Sequence, residues 1–186
     1  MSRVVEQGHL GGYVVGGDEA TMFPNLWGWL VKNLGIKSVL DVGCGDGQAI
    51  NFFRDSGCEV LGVDGIEQDD PDIAQHDFTH GPFYPEHDFD LCWSCEFVEH
   101  VDERYLPNYL HLFRAGNVVL LTHADPGQAG YHHVNCRTAD YWIGVMAAVG
   151  YALDEMLTSS ARELAALNTS PWNHFVRSGL AFRRYQ

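Results

Sequence analysis

Apolar residues in this chain follow two rhythms. Short continuous runs, such as Val39-Leu40 with Val42 or Val118 to Leu121, read as strands buried on both faces. By this criterion strands are expected through Val39, Leu40 and Val42, and over 59–64, 72–75, 90–94, 117–122, 151–157 and 175–183. Between them apolar residues recur at helical spacing. Leu26, Trp27, Leu30, Val31 and Leu34 predict a helix over 23–34, with Pro24 tolerated in its first turn and Gly35 ending it. Further helices are expected from Gln48, over 102–114, over 138–149 behind a Thr138 cap, and over 159–167. Residues 1–20 keep neither rhythm. Their glycine-rich run Gly8-His-Leu-Gly-Gly-Tyr-Val-Val-Gly-Gly suits a loop that moves or hugs a ligand, or an untethered terminus.

The most informative stretch is Ser38-Val-Leu-Asp-Val-Gly-Cys-Gly-Asp-Gly47, in which a buried strand breaks into three alternating glycines ahead of a helix. Glycines there let a backbone approach a ligand closely, and the helix that follows aims its amide donors at the same place. The next strand ends in Asp64, where a carboxylate at a strand tip can accept both hydroxyls of a ribose. These residues resemble the class I S-adenosylmethionine (SAM)-dependent methyltransferases. Asp41 with Gly43-Cys44-Gly45-Asp-Gly47 resembles their first motif, and Val63-Asp64-Gly65 their acidic second. Gln75-His-Asp77-Phe78 resembles the third, and Phe89-Asp-Leu-Cys-Trp-Ser94 the fourth strand.

The resemblance covers roughly residues 35–155. It implies a single-domain α/β fold, doubly wound, with a seven-stranded mostly parallel sheet whose last strand is antiparallel. The domain would occupy 23–186, behind a glycine-rich arm or lid over 1–22. In several such enzymes an N-terminal arm closes over the cofactor, which would make Tyr13 and Gly16-Gly17 lid residues. By the same resemblance SAM is the cofactor. Asp64 would hold its ribose, Asp77 and Phe78 its adenine, and the 43–47 turn its methionine part, with Asp41, Gly65 and Ser94 completing the cofactor set.

Composition narrows the partners. The 186 residues, 46% of them hydrophobic, suffice for one domain with a substantial core. A formal net charge of −14 repels nucleic acid and anionic membranes, and Arg177, Arg183 and Arg184 form the one notable basic cluster. No apolar stretch is long enough to span a bilayer. Five cysteines, an odd number without an evident signal peptide, favour free thiols and a cytoplasmic setting.

Chemistry in open α/β sheets gathers beyond the carboxyl ends of the strands. There lies Cys95-Glu-Phe-Val-Glu-His-Val, and a helical turn would place Glu96, Glu99 and His100 on one face. Such a trio could bind a divalent metal or supply a general base, although Glu-His pairs at this position also occur in metal-free methyltransferases, where they order the loop. After the fifth strand comes a second loop, with His123, His132 and His133. Glu96-x-x-Glu99-His100 with a later histidine resembles two metal-using subfamilies, one acting on the 3′-terminal ribose of small RNAs and one on phenolic hydroxyls in ubiquinone biosynthesis. That resemblance implies a metal set of Glu96, Glu99, His100 and His133 (or His132), with His100 or His133 as candidate base. The expected reaction is O-methylation of a small molecule or sugar. The rivals are a metal-dependent RNA ribose 2′-O-methyltransferase and a non-catalytic SAM-binding protein. Oligomeric state is left open by these features.

Overall fold

A computed structural model describes residues 4–6, 8–15, 18–168 and 170–185. The chain begins with a small hairpin, β1 (Val4–Glu6) paired antiparallel to β2 (Gly12–Val14), separate from the main sheet. α1 (Pro24–Trp29) follows and runs into a wider π-type segment, Leu30–Leu34, which Gly35 stops in the left-handed region at φ 68°. The main sheet then assembles from β3 (Ser38–Val42), β4 (Glu59–Asp64), β5 (Ile73–Gln75), β6 (Phe89–Ser94), β7 (Gly116–Leu121), β8 (Tyr151–Leu153) and β9 (Leu180–Arg184). The intervening helices are α2 (Gln48–Asp55), α3 (Leu106–Ala115), α4 (Ala139–Ala148), α5 (Glu155–Ala165) and α6 (His174–Ser178).

The strand order is β5-β4-β3-β6-β7-β9-β8. Pairing is parallel from β5 to β7, and β9 runs antiparallel to both β7 and β8. This is the seven-stranded, mostly parallel α/β sheet expected, with its last strand reversed. Side chains alternate across each strand, so Leu40, Cys92 and Val119 face one buried cluster with Tyr109 and Trp142. Val39, Leu91, Trp93 and Leu120 face the other, with Trp27, Phe53 and Phe175. Both faces are covered, which is why the strands read as unbroken apolar runs.

The order reverses between β3 and β6, since the chain moves outward from β3 to β5 and then returns to β6 on the other side. The segments leaving these two neighbours therefore sit side by side, at the position where such sheets hold ligands.

Several boundaries differ from expectation. β8 ends at Leu153, because Asp154 caps a helix there: its Oδ1 accepts the Leu157 amide at 2.9 Å, and α5 begins at Glu155 rather than 159. Residues 174–178 form α6 instead of the start of a strand, with Asn173 Oδ1 accepting from Val176 N at 3.0 Å. Of the arginines near the C-terminus, Arg183 pairs with Asp154 and Arg184 with Asp88. Among the described residues no helix is long and apolar enough to cross a membrane.

Candidate active site

The turn after β3 is built from backbone conformations that side chains resist. Gly43, Gly45 and Gly47 all have positive φ, 77°, 55° and 80°. Space is as short as conformation at Gly43, where a Cβ would lie 2.5 Å from Phe97 Cδ2. Gly43 N donates to Val63 O at 2.8 Å, holding the turn against β4. Asp64, at the tip of β4, accepts Gly45 N on one oxygen and Ile66 N on the other, each at 2.9 Å. Burial lifts its carboxyl to about 6 although these amides pull the other way. Asp41 is buried at the base of the turn, and burial together with Asp64 drives its carboxyl well above the usual range.

A cavity of about 360 Å³ opens over this turn, lined among others by Asp41, Gly43, Cys44, Gly45 and Asp64. A smaller one, about 40 Å³, is lined by Gly65, Asp77 and Phe78. Asp77 caps the short turn Phe78–His80 through Thr79 N and meets His9 Nε2 at 2.8 Å. Burial opposes ionisation there, but the His9 and Thr79 contacts outweigh it and hold the carboxyl at about 2.

The second half of the site follows β6. Residues 95–101 make a turn rather than the expected helical start: Glu96 is left-handed at φ 54°, and His100 N donates to Phe97 O at 2.9 Å. Glu96 N is tied to Thr122 Oγ1 at 2.8 Å, so the side chain leaves the turn beside the end of β7. The loop after β7 is zipped onto this turn, with Val134 N and Asn135 N both donating to Glu99 O at 2.9 and 3.0 Å. The zipper brings His133 against His100, ring centroids 5.0 Å apart. Gly130 allows the approach, since a Cβ there would fall 2.2 Å from His133 Nε2. As the carbonyl of Gln128 can only accept, its 3.2 Å contact with His133 Nδ1 suits an Nδ1–H donor and fixes the orientation of the ring.

One ligand-type atom from each of Glu96, Glu99, His100 and His133 lies within 4.8 Å of the others. Glu99 is fully buried with neither carboxylate oxygen hydrogen-bonded, and His100 Nδ1 is likewise unpartnered. Burial and neighbouring Glu96 push the Glu99 carboxyl well up. Burial acts on Glu96 in the same direction, but His174, with Nδ1 3.0 Å from Oε1, more than offsets it and holds that carboxyl below its usual value. Burial and His133 lower His100 to about 4, so its ring is uncharged at neutral pH. Two carboxylates and two imidazoles form a donor set suited to a divalent metal, and a buried carboxylate with no hydrogen bond is costly unless a cation meets it.

A family model described as a methyltransferase domain matches residues 24–156. The chain belongs to this family. The match reaches from α1 into α5 and includes the glycine turn and all four residues of the Glu-His cluster. No curated protein matches the chain. Among solved structures, the fold is similar to 1,6-didemethyltoxoflavin-N1-methyltransferase from Burkholderia thailandensis with bound 1,6-didemethyltoxoflavin and S-adenosylhomocysteine. Identity is 17% and TM-score 0.63, over 92% of this chain and 81% of that one. Magnesium protoporphyrin IX methyltransferase from Synechocystis PCC 6803 with bound SAM gives 16% and 0.60, over 89% and 79%. The sugar N-methyltransferase KedS8 from Streptoalloteichus sp. ATCC 53650 gives 14% and 0.60, over 92% and 90%. Family and fold together make the protein a class I SAM-dependent methyltransferase.

In this methyltransferase the residues singled out from sequence do not all fall in one place. Asp41, Gly43, Cys44, Gly45 and Asp64 share the larger cavity with Glu96, His100 and His133. Gly47 and Ser94 line neither cavity. Gly47 starts α2, and Ser94 Oγ donates to Val42 O at 2.9 Å, stitching β6 to β3. Phe78 is buried in the core against Phe97 and Tyr109, with the smaller cavity at its edge. Sequence reasoning missed His174, which had no local signal, and Leu10 and Gly11 of the arm. A Cβ on Gly65 would lie 2.8 Å from Leu10 Cδ2, and one on Gly11 would touch His100 at 3.7 Å. Gly16 and Gly17 lie outside the described residues.

Proposed function

We propose that this methyltransferase transfers the SAM methyl group to a hydroxyl oxygen of a small molecule or sugar, and that Glu96, Glu99, His100 and His133 hold a divalent cation at the acceptor. The observation that carries the reading is the convergence of these four, with Glu96, His100 and His133 in the wall of the cofactor-side cavity and both oxygens of the buried Glu99 orphaned behind them. Bound there, such a cation would lower the pKa of the acceptor hydroxyl. The sulfonium supplies the methyl group's reactivity, so the protein's own task is to set donor and acceptor in line.

Each residue has a defined part in that task. Asp64 takes the Gly45 amide on one oxygen and the Ile66 amide on the other, and a carboxylate with two lone pairs on each oxygen would still have capacity for ribose hydroxyls. Asp77 would meet the adenine amino group with the oxygen that His9 now contacts. The bare backbone of the 43–45 turn would leave room for the methionine part. Leu10 and Gly11 wall the cavity opposite the sheet, which supports the arm, 1–22, as a lid that excludes water.

Two features favour a small acceptor over a polynucleotide. Among the described residues lining either cavity there is no Lys or Arg, so nothing there matches a polyphosphate backbone. The similar structures named above carry a toxoflavin precursor, a magnesium porphyrin and a sugar in their names, all small molecules.

The test is transfer of labelled methyl from SAM into a fractionated cell extract, with chelator and with Mn²⁺ or Mg²⁺ restored. Label should enter the small-molecule fraction, vanish with chelator and return with metal. Label that persists under chelation would remove the metal from the reading, and label confined to RNA would overturn the acceptor class.

A further inference from the structure

The four clustered side chains lie inside the segment that the family model matches, but the residue that orients one of them does not. His174 opens α6, beyond residue 156. Its Nδ1 stands 3.0 Å from Glu96 Oε1, with both side chains about four-fifths buried, 21% and 18% exposed. Both residues line the larger cavity. We propose that His174 is a positioning residue: its Nδ1–H donates to Oε1 of Glu96 and keeps the other carboxylate oxygen turned toward Glu99, His100 and His133. The inference rests on the metal-binding reading above.

Three observations lead there. First, Glu96 adopts a left-handed backbone, φ 54°, which is unfavourable for a residue with a side chain and is held by the Thr122 hydroxyl. The strain directs Glu96 along the end of β7 but leaves three side-chain torsions to be fixed. Secondly, Oε1 has its close contact to His174, with Thr122 Oγ1 farther off at 3.5 Å, whereas both oxygens of Glu99 have none. The two carboxylates thus differ in kind, one tethered from outside the cluster and one held by its backbone and burial alone.

Thirdly, His174 is itself fixed. Next to it, Phe175 is wholly buried and stacks on Trp93 at 5.3 Å and 11°. Asn173 caps the helix and also donates to Ala165 O at 2.6 Å. Ser178 Oγ accepts from His123 N at 3.2 Å, so α6 is bound at one end to the last turn of α5 and at the other to the segment leaving β7. A rigid donor on a rigid helix is what a hydrogen bond to a metal-binding carboxylate requires.

The test is Mn²⁺ binding to the purified protein without SAM or acceptor, followed by electron paramagnetic resonance of the free ion, with thermal unfolding recorded for each variant. His174→Ala should weaken Mn²⁺ binding on the order of 10- to 100-fold, the range for loss of a partner behind a metal ligand. His174→Asn should restore most of it, because an amide N–H stands close to where Nδ1–H was. His174→Gln should not, since its amide reaches too far, and it separates position from mere polarity even if the alanine variant folds poorly. Equal Mn²⁺ affinity in wild type and His174→Ala, or equal loss in His174→Asn and His174→Gln, would overturn the positioning role while leaving the metal reading intact. Wild-type protein that binds neither Mn²⁺ nor Mg²⁺ would overturn both.

Discussion

Asp64 shows how one carboxylate can be asked for two things that pull in opposite directions. The fold buries it and lifts its carboxyl to about 6, above the ordinary 3.8, so the folded chain holds a proton that the unfolded chain releases. Stability from that proton is complete below about pH 4 and is lost as pH rises through about 6. The proposed ribose contact needs the other form, since only the carboxylate would accept both hydroxyls. SAM affinity should therefore be flat above pH 7 and fall below 6, reaching about a tenfold loss at pH 5 for a group titrating one unit higher. Calorimetric titration between pH 5 and 8 reads this directly, and Asp64→Asn should bind weakly at every pH. A wild-type affinity unchanged down to pH 5 would take Asp64 out of the ribose site. Asp64 was legible from sequence because a strand tip fixes both its depth and its direction. His174 was not: its partner Glu96 is 78 positions away, and only the reversal of β9 beside β7 brings the two ends together.

The same contrast separates the elements that could be read from those that could not. β3 and β4 were readable because each is buried on both faces, and a parallel strand buried twice leaves an apolar run with a turn at its end. The boundary after β8 was not, because Met156 and Leu157 extend the apolar run of Tyr151–Leu153 while the stop signal is a single side chain. Asp154 supplies that stop, accepting from Leu157 N on Oδ1 and pairing with Arg183 on Oδ2. Losing it should cost about 1 kcal/mol, within the 0.5–2 kcal/mol typical of helix caps, since the half-exposed Arg183 adds little. For a domain of this size Asp154→Ala should lower Tm by about 2–4 °C per kcal/mol, while Asp154→Asn, which keeps a capping oxygen, should lose less. Equal loss in the two variants would mean that the charge, not the cap, sets the end of β8. The Glu96 turn was misread for a related reason. The i, i+3, i+4 spacing gathers Glu96, Glu99 and His100 in a helix, but here a left-handed residue and the Thr122 hydroxyl bring about the same gathering, and neither leaves a periodic trace.

The molecule as assembled is a rigid two-faced sheet with a light hairpin laid over its active edge. The buried residues of both core clusters begin at Phe23, and among the described residues before Asp18 none belongs to either cluster. The described contacts of the hairpin itself with the domain are the His9–Asp77 pair, with His9 half-exposed, and the packing of Leu10 and Gly11 on Gly65 and His100, whereas Glu19 and Met22 behind it are tied down by Asn168 Nδ2. An exposed pair of that kind is worth about 0–1 kcal/mol, and three-residue strands do not hold a hairpin by themselves. Docking this weak is what a proposed lid needs, because it must open in every cycle to let S-adenosylhomocysteine leave. Removing residues 1–17, which spares the Asp18 cap on Ala20 N, should leave Tm nearly unchanged while SAM dissociates about tenfold faster or more, the equivalent of ~1.4 kcal/mol of lost closure. His9→Ala should fall between the two in stopped-flow displacement of SAM. The ordering matters more than the size: His9 contacts the oxygen that adenine would claim, so if His9→Ala binds SAM more tightly than wild type, the arm is a competitor for Asp77 and not a lid.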